Sequence, residues 1–368
     1  MATPLISVIM SVYNGEKYIG EAIDSVINQT FADWELIIIN DCSSDKTANI
    51  LAEYSLKDER IKVFTNEVNL RLPMSLNKAI SKCSGKYIAR MDSDDICLPK
   101  RLELQYKFME ENKDIMLSSC RFLTLKNGVY SSGGCGPRCD FNALKAMLLV
   151  SNPILHPGVI IRKAAMDKLN YNPQCTCTED LNLWTEFAME NFKMQILPEY
   201  LLIYRLHDKQ ITSTTLDKQK SEVLKIENTY FDKYLEPMGD DLKEFYINGI
   251  YFNFETDVNK FLKFFKWARS INKRKKFFEN DVLDYAFFEV LAEYKRRGVS
   301  KTNIIKAMVH FNIAFLVKEV IRRKKSAAAE CKKCIEAATE FGLKQTSKSN
   351  EFPIFLKITN WSETNADI

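Results

Sequence analysis

The sequence predicts an α/β protein whose amino-terminal part forms a mainly parallel sheet with helices on both faces, followed by a helical region. Short apolar runs alternate with segments of helical spacing through the first hundred residues. This order leads to right-handed crossovers between parallel strands. From about residue 221 the apolar residues recur only at helical spacing, among many Phe and Lys side chains. We therefore expect domains at 1–220 and 221–368.

The strands are predicted from short, continuous apolar runs, which are typical of buried parallel strands. Between the first two runs, apolar side chains recur at helical spacing and predict the first crossover helix. Weaker strand signals follow later in the chain, before the helical region. The runs and the weaker signals lie at residues 5–10, 34–39, 61–64, 86–91, 158–161 and 202–205.

The composition is that of an ordinary globular protein. Of 368 residues, 46% are hydrophobic and 27% are charged, which excludes disorder as the main state. The net charge of +4 is unevenly distributed: residues 241–368 hold 24 basic and 16 acidic residues, or +8, which leaves −4 for residues 1–240. No run approaches the ~20 apolar residues of a membrane span, and no export signal precedes residue 5. We expect a cytoplasmic protein with reduced cysteines.

Polar loops follow three of the predicted strands, at residues 11–15, 40–45 and 92–95. Ligands bind beyond the carboxyl ends of parallel strands, so these loops predict a site for a cation and a planar group. Asp45 is expected to make only a turn or cap. Asp92 and Asp94 are expected on one side of an extended segment, where paired carboxylates suit Mg²⁺ or Mn²⁺.

A second acidic pair, Glu179 and Asp180, precedes an apolar, helix-like run that includes Trp184. One interpretation is a helix N-terminus, where negative charge is favoured. The other makes Asp180 a general base whose pKa an apolar neighbour raises. The spacing alone favours the first interpretation.

Histidines and cysteines offer two further candidates. His207 lies just past a predicted strand, where it suits a metal or phosphate contact. Cys135, Cys139, Cys175 and Cys177 supply enough thiolates for structural zinc, but neither pair has the usual spacing. We expect them to be scattered small apolar residues instead.

Six ordered stretches resemble the inverting family 2 glycosyltransferases, which have the GT-A fold. The resemblance covers roughly residues 4–215. It implies a Rossmann-like sheet that binds a nucleotide sugar, and a divalent metal, Mn²⁺ or Mg²⁺, on the diphosphate. The stretches are residues 8–15, 39–45, 89–95, 155–162, 179–184 and 204–207.

The resemblance also implies roles for single residues on the donor side. Tyr13 and Asp41 resemble the pair that stacks on and hydrogen-bonds the uracil ring. Asp92 resembles the residue that meets the ribose or the sugar. Asp94 resembles the metal ligand, and His207 matches a position near the metal or the diphosphate.

On the acceptor side, Asp180 resembles the catalytic base, with Glu179 and Trp184 at the acceptor site. One position departs from the family. Residues 69–71 read Asn-Leu-Arg where the family commonly has Asn-x-Gly. An Arg adopts a strained backbone less readily than Gly, so either this loop is relaxed or Arg71 reaches the diphosphate as a cation.

The basic tail raises a hypothesis of its own. Residues 260–276 interleave Lys and Arg with aromatic side chains, and residues 322–325 form a second basic cluster. Core Phe with solvated Lys is the common arrangement. The alternative is a platform for anionic lipid, which suits a polyprenyl-diphosphate-linked acceptor and a place on the inner face of the plasma membrane.

The resemblance implies an enzyme that moves a sugar from a UDP-sugar to a saccharide hydroxyl, as a hexosyltransferase or N-acetylhexosaminyltransferase of bacterial surface polysaccharide (O-antigen, capsule or exopolysaccharide) synthesis. One alternative is a nucleotide-sugar-binding module without catalysis. Another is a binder of single-stranded nucleic acid, which the balanced overall charge disfavours, so no nucleic acid is expected. Homo-oligomers are left open.

Overall fold

The structure is a computed structural model and describes residues 3–133, 138–207, 216–252 and 255–340. Its centre is a nine-stranded sheet. The strands are β1 (Ile6–Val12), β2 (Trp34–Asn40), β3 (Ile61–Thr65), β4 (Tyr87–Arg90), β5 (Ile96–Cys97), β6 (Ile115–Lys126), β7 (Val129–Gly133), β8 (Ile160–Arg162) and β9 (Lys193–Arg205).

Thirteen α-helices accompany the sheet in the described ranges. They are α1 (Ile19–Ile27), α2 (Thr47–Lys57), α3 (Arg71–Ile80), α4 (Arg101–Glu111), α5 (Phe141–Met147), α6 (Lys163–Met166), α7 (Glu179–Met189), α8 (Leu216–Tyr234), α9 (Asp240–Phe245), α10 (Val258–Lys275), α11 (Asn280–Arg296), α12 (Lys301–Met308) and α13 (Ile313–Glu340). A π-helical turn follows α9 at Tyr246–Tyr251.

The order of the strands is β3-β2-β1-β4-β8-β6-β9-β5, and β7 pairs with β6. The first four are parallel, as the alternation of strands and helices predicts. The sheet then becomes mixed, because β8 runs antiparallel to both β4 and β6. Long β6 and β9 pair in parallel and complete a second half, for which the sequence carries only short strand signals.

Helices cover both faces of the sheet, as predicted. Side chains alternate along β1, so Val8 and Met10 pack with α1, α2 and α4 in one cluster, while Ile9 joins α3, α5 and α7 in the other. This double covering explains why the first strands read as continuous apolar runs.

The helical region continues the second cluster. Phe261, Phe264 and Phe265 of α10 are fully buried in the same core as Ile9 of the sheet, whereas Lys263 is exposed. The Phe residues of α10 therefore build core. α8 begins before residue 220, and the domain boundary there stays a prediction. Among the described residues, no helix combines the length and the apolar character that crossing a bilayer requires.

A buried carboxylate ties the first strands together. Glu35 of β2 accepts hydrogen bonds from the Ser7 hydroxyl at 2.6 Å, from Ser84 N at 2.8 Å and from Lys62 Nζ at 2.6 Å. Burial raises the pKa of Glu35, but these hydrogen bonds outweigh it and lower the pKa from 4.5 to about 2. The ionised carboxylate thus stabilises the fold.

Glu35→Gln should lower the free energy of unfolding at pH 7 by about 2–3 kcal/mol. The ionised Glu35 stabilises the fold fully only above the pKa that it has in the unfolded state. The difference in the free energy of unfolding between the variant and wild type should therefore shrink as pH falls from 4.5 towards 2. Urea unfolding at both pH extremes measures it. The exposed Glu53→Gln is the control, and an equal deficit for Glu35→Gln at both pH values would contradict the role.

Candidate active site

A cleft of about 1500 Å³ opens at the carboxyl ends of β1, β2 and β4. The cleft is lined by the three polar loops that follow these strands, which we call the first wall. It is also lined by residues 147–157, residues 176–180 and the helix α11, which we call the second wall. Of the predicted site residues, the cleft is lined by Tyr13, Asp41, Arg71, Asp92, Asp94, Glu179, Asp180 and His207.

The loops after β1 and β2 are fixed to each other. Asn14 and Cys42 both adopt left-handed backbone, with φ of 52° and 63°, and Asn14 Oδ1 accepts a hydrogen bond from Ser44 N at 2.8 Å. Asp41 is buried, and its Oδ1 accepts from Asn66 Nδ2 at 2.7 Å and from Leu70 N at 2.8 Å. The Tyr13 side chain stays 54% exposed beside this rigid floor.

The backbone of Arg71 excludes one of the two alternatives that the sequence left open, namely a relaxed loop. Its φ is 69°, in the left-handed region that favours Gly. The loop has therefore not relaxed to suit Arg; it keeps the backbone that Gly would adopt, held by a hydrogen bond from Arg71 N to Asn69 Oδ1 at 3.1 Å. The Arg71 side chain is exposed and lines the cleft.

Asp92 is paired with an arginine buried under the cleft. The two guanidinium nitrogens of Arg90 donate to the two carboxylate oxygens at 2.7 and 2.5 Å. Arg90 is 2% exposed. Burial raises the pKa of Asp92, Arg90 opposes that shift, and neighbouring Asp94 and Asp180 add to it. Asp92 is thus oriented and largely neutralised by one partner.

Asp94 belongs to a cluster of three carboxylates. Oxygen atoms of Asp92, Asp94 and Asp95 lie within 4.8 Å of one another, because the chain turns directly after β4 instead of staying extended. His207 Nε2 is 2.9 Å from Asp94 Oδ2, and its ring stacks on Tyr18. Among the described residues, this is the one group of His, Cys, Asp and Glu side chains with metal-ligand spacing.

The cluster suits a hard divalent cation. Asp95 is buried, its Oδ2 has no hydrogen-bond partner, and burial next to Asp92 and Asp94 raises its pKa well above the usual range. Mg²⁺ and Mn²⁺ select oxygen ligands, and here the carboxylates carry more negative charge than the neighbouring cations offset. The cysteines form no comparable group in the described ranges, and Cys135 lies outside them.

Glu179 and Asp180 are the first residues of α7, and both also face the cleft. Asp180 accepts hydrogen bonds from Asn152 Nδ2 and Leu181 N, each at 2.7 Å. Burial raises the pKa of Asp180, and these hydrogen bonds and Arg90 limit the rise. For Glu179, burial and the charge of Asp180 raise the pKa to about 8. The pKa of Glu179 is thereby brought close to neutral pH.

Trp184 lies elsewhere than expected. It is fully buried behind the pair, one turn along α7, and packs edge-on against the His156 ring at 5.8 Å between centroids. Leu181 and Leu183 turn into the same core. At this position Trp184 supports the wall and does not line it, because the apolar face of α7 points away from the cleft.

The sequence did not identify several residues of the cleft as site residues. Arg90 sits inside a strand run, where nothing distinguishes it from a surface Arg. His156 is buried, and burial and Arg90 hold its pKa well below the usual range; its Nδ1 is 3.7 Å from Glu179 Oε1. Glu289 and Glu293 reach the cleft from α11, and only the long-range packing of the helical region brings them there.

Comparison with known proteins identifies the family of this chain. Residues 7–169 match the profile of Glycosyl transferase family 2. A glycosyltransferase of Methanocaldococcus jannaschii is 37% identical over 223 residues, 60% of this chain and 77% of that protein. The O-antigen biosynthesis glycosyltransferase WbnJ of Escherichia coli is 37% identical over 58% of this chain and 84% of its own. The chain belongs to glycosyltransferase family 2 and is a glycosyltransferase.

The fold agrees with that assignment. Residues 1–349 of S. aureus TarS, crystallised with UDP-GlcNAc, superpose with a TM-score of 0.53 at 18% identity, covering 81% of this chain and 93% of the other. The likeness concerns the fold, and confirms the expected GT-A sheet followed by helices.

The acidic cluster generates a prediction about cations. Mn²⁺ with UDP should raise the melting temperature of the protein by several degrees, because ligands that bind only the folded state stabilise it. Asp94→Asn should remove most of that rise, and EDTA should reverse it. The control is Asp114→Asn, an exposed carboxylate paired with Lys193. Equal shifts for Asp94→Asn and wild type would contradict a cation at this cluster.

Proposed function

We propose that the protein is an inverting glycosyltransferase that moves a sugar from a UDP-sugar to a hydroxyl of a saccharide acceptor during synthesis of a bacterial surface polysaccharide. The observation that carries the proposal is that carboxylates from two parts of the chain line one cleft: Asp92 and Asp94, which follow β4, and Asp180 at the start of α7. Such an arrangement suits a donor held at one wall and an acceptor deprotonated at the other.

Tyr13, Asp41 and Arg71 are proposed to hold the nucleotide. The exposed ring of Tyr13 offers a stacking surface for uracil beside the fixed carboxylate of Asp41. Arg71 lines the same wall as a cation suited to the diphosphate. Asp92, oriented by Arg90, is proposed to meet the ribose or the donor sugar.

Asp94 and Asp95 are proposed to hold a divalent cation, with His207 close by. Bound there, Mg²⁺ or Mn²⁺ would supply Lewis-acid chemistry that offsets the charge of the departing diphosphate. His207 and Tyr18 keep that corner of the cleft packed through their stacked rings.

Asp180 is proposed as the general base. A base must be ionised before the reaction, and Asp180 has the hydrogen bonds of Asn152 and Leu181 to stabilise its charge. Glu179, with its pKa raised to about 8, is protonated at neutral pH and suits a donor of a hydrogen bond to the acceptor. One base suffices for a single displacement, in which the acceptor oxygen bonds to the anomeric carbon as the bond to UDP breaks, which inverts that carbon.

The acceptor is proposed to be lipid-linked. Among the relatives, WfgD of Escherichia coli is described as a glucosyltransferase that uses UDP-Glc and α-D-GlcNAc-diphosphoundecaprenol, and is 30% identical over 59% of this chain and 83% of its own. An enzyme that uses such an acceptor would work at the inner face of the plasma membrane. Glu179 is proposed to shape the acceptor site, with Trp184 supporting it from the core.

The two carboxyls of α7 should respond differently to neutralisation. Asp180→Asn should lower the transfer rate about 10²–10⁴-fold while UDP affinity stays near that of wild type, because the base is lost and the donor wall is intact. Glu179→Gln, which imitates a protonated carboxyl, should stay within about tenfold of wild type. UDP release over a panel of UDP-sugars and saccharides measures the rate, and calorimetry measures UDP binding.

The wild-type rate should rise with pH through the raised pKa of Asp180, since only its ionised form accepts the proton. The opposite ranking, with Glu179→Gln inactive and Asp180→Asn active, would assign the base to Glu179. Activity retained in both variants would exclude this pair from the chemistry.

Arg71 can be tested by separating its charge from its backbone. Arg71→Ala and Arg71→Gly should both weaken UDP binding about tenfold or more, because a charge-assisted contact is lost. Only Arg71→Gly should also raise the melting temperature, since Gly adopts the left-handed backbone without the strain that Arg and Ala share. Unchanged UDP affinity in Arg71→Ala would remove Arg71 from the donor site.

A further inference from the structure

Five large aliphatic side chains on α12 and α13 point away from the core. They are 49% to 78% exposed. Three of them share one face of α13 at i, i+4 and i+8, and the other two have the same spacing at the end of α12 and just beyond it. We call this set the outer stripe: Ile305, Val309, Ile313, Val317 and Ile321.

The outer stripe is not needed to attach these helices to the protein. A different set of side chains does that: Ile304, Ala307, Phe311 and Phe315 are buried in the main core. Both helices are therefore apolar on two sides, one packed and one open. Large aliphatic side chains exposed together along one face of a helix mark an interaction surface.

The exposed charge within the segment that carries the outer stripe has one sign. Residues 301–323 contain three Lys and two Arg, and one acid, Glu319. Glu319 is fully buried and pairs with Arg322 and Arg323, so it offers no negative charge to solvent. Lys301, Lys306 and Lys318 remain exposed beside the aliphatic row.

We propose that the outer stripe and its lysines form the surface by which the protein docks on an anionic lipid bilayer. Aliphatic side chains between lysines match the acyl boundary and the negative headgroups of such a surface. A second copy of the chain fits less well, because a two-fold contact would bring the same lysines against each other.

The choice of a membrane as the partner rests on the proposed function, and the location of the surface suits that function. α12 packs against α11, and α11 contributes Glu289 and Glu293 to the cleft. A bilayer at the outer stripe therefore lies one helix away from the wall opposite the donor loops. α10, whose Phe side chains are buried, exposes lysines such as Lys263 and Lys266.

Sedimentation of the full chain with vesicles tests the proposal. Wild type should bind vesicles of phosphatidylglycerol mixed with phosphatidylcholine, lose binding as salt is raised, and bind phosphatidylcholine alone far less. The double variant Ile313→Asp, Val317→Asp should lower the partition coefficient about tenfold or more. The matched control is Leu56→Asp, Val68→Asp, which places the same charges on exposed aliphatic positions of the amino-terminal part.

Two results would overturn the proposal. One is equal binding of phosphatidylglycerol vesicles by the outer-stripe variant and the control variant. The other is a wild-type protein that does not bind these vesicles. Dimers that dissociate in the outer-stripe variant, without vesicle binding, would assign the surface to a second copy instead. UDP binding measured without lipid distinguishes failure of the membrane-docking proposal from failure of the proposed function. The outer-stripe variant should bind UDP as wild type does. A wild-type protein that does not bind UDP would contradict the proposed function.

Discussion

The site depends on one buried cation, Arg90. It lies at the end of β4, almost without solvent contact, and binds both oxygens of Asp92. Its charge also opposes the rise in the pKa of Glu179, Asp180 and Asp95. Removing one partner of a buried pair leaves an uncompensated charge, so the carboxyls of both walls depend on Arg90.

The positive charge of Arg90 does not by itself offset the negative charge of the carboxyl groups around it. Several buried carboxyls lie around Arg90, and their pKa values respond: burial and the charge of Asp180 raise the pKa of Glu179 to about 8, and burial next to Asp92 and Asp94 raises that of Asp95 well above the usual range. A cation bound beside Asp94 and Asp95, as proposed above, would offset part of this negative charge.

The sequence predicted the parts that local pattern encodes. Continuous apolar runs identified β1 to β4, and the loops after them contain Tyr13, Asp41, Asp92 and Asp94, which the structure brings to one cleft. The mixed second half was less visible, because β8 is only three residues long and β5 only two. Arg90 and Glu293 could not be identified, because their roles arise from contacts between distant segments. Trp184 was misplaced because spacing does not tell which face of α7 meets the cleft.

The shared core of sheet and helices limits how this protein can diverge. α11 presents Glu289 and Glu293 to the cleft, while Val282, Tyr285 and Phe287 on its other sides are buried in the core. Descendants can change the character of this wall most easily at Glu293, whose partners Arg296 and Arg297 lie at the end of the same helix, whereas Glu289 pairs with Arg323 of α13. Changes on the inner side would alter packing against α5, so new specificities should accumulate on one face of a single helix.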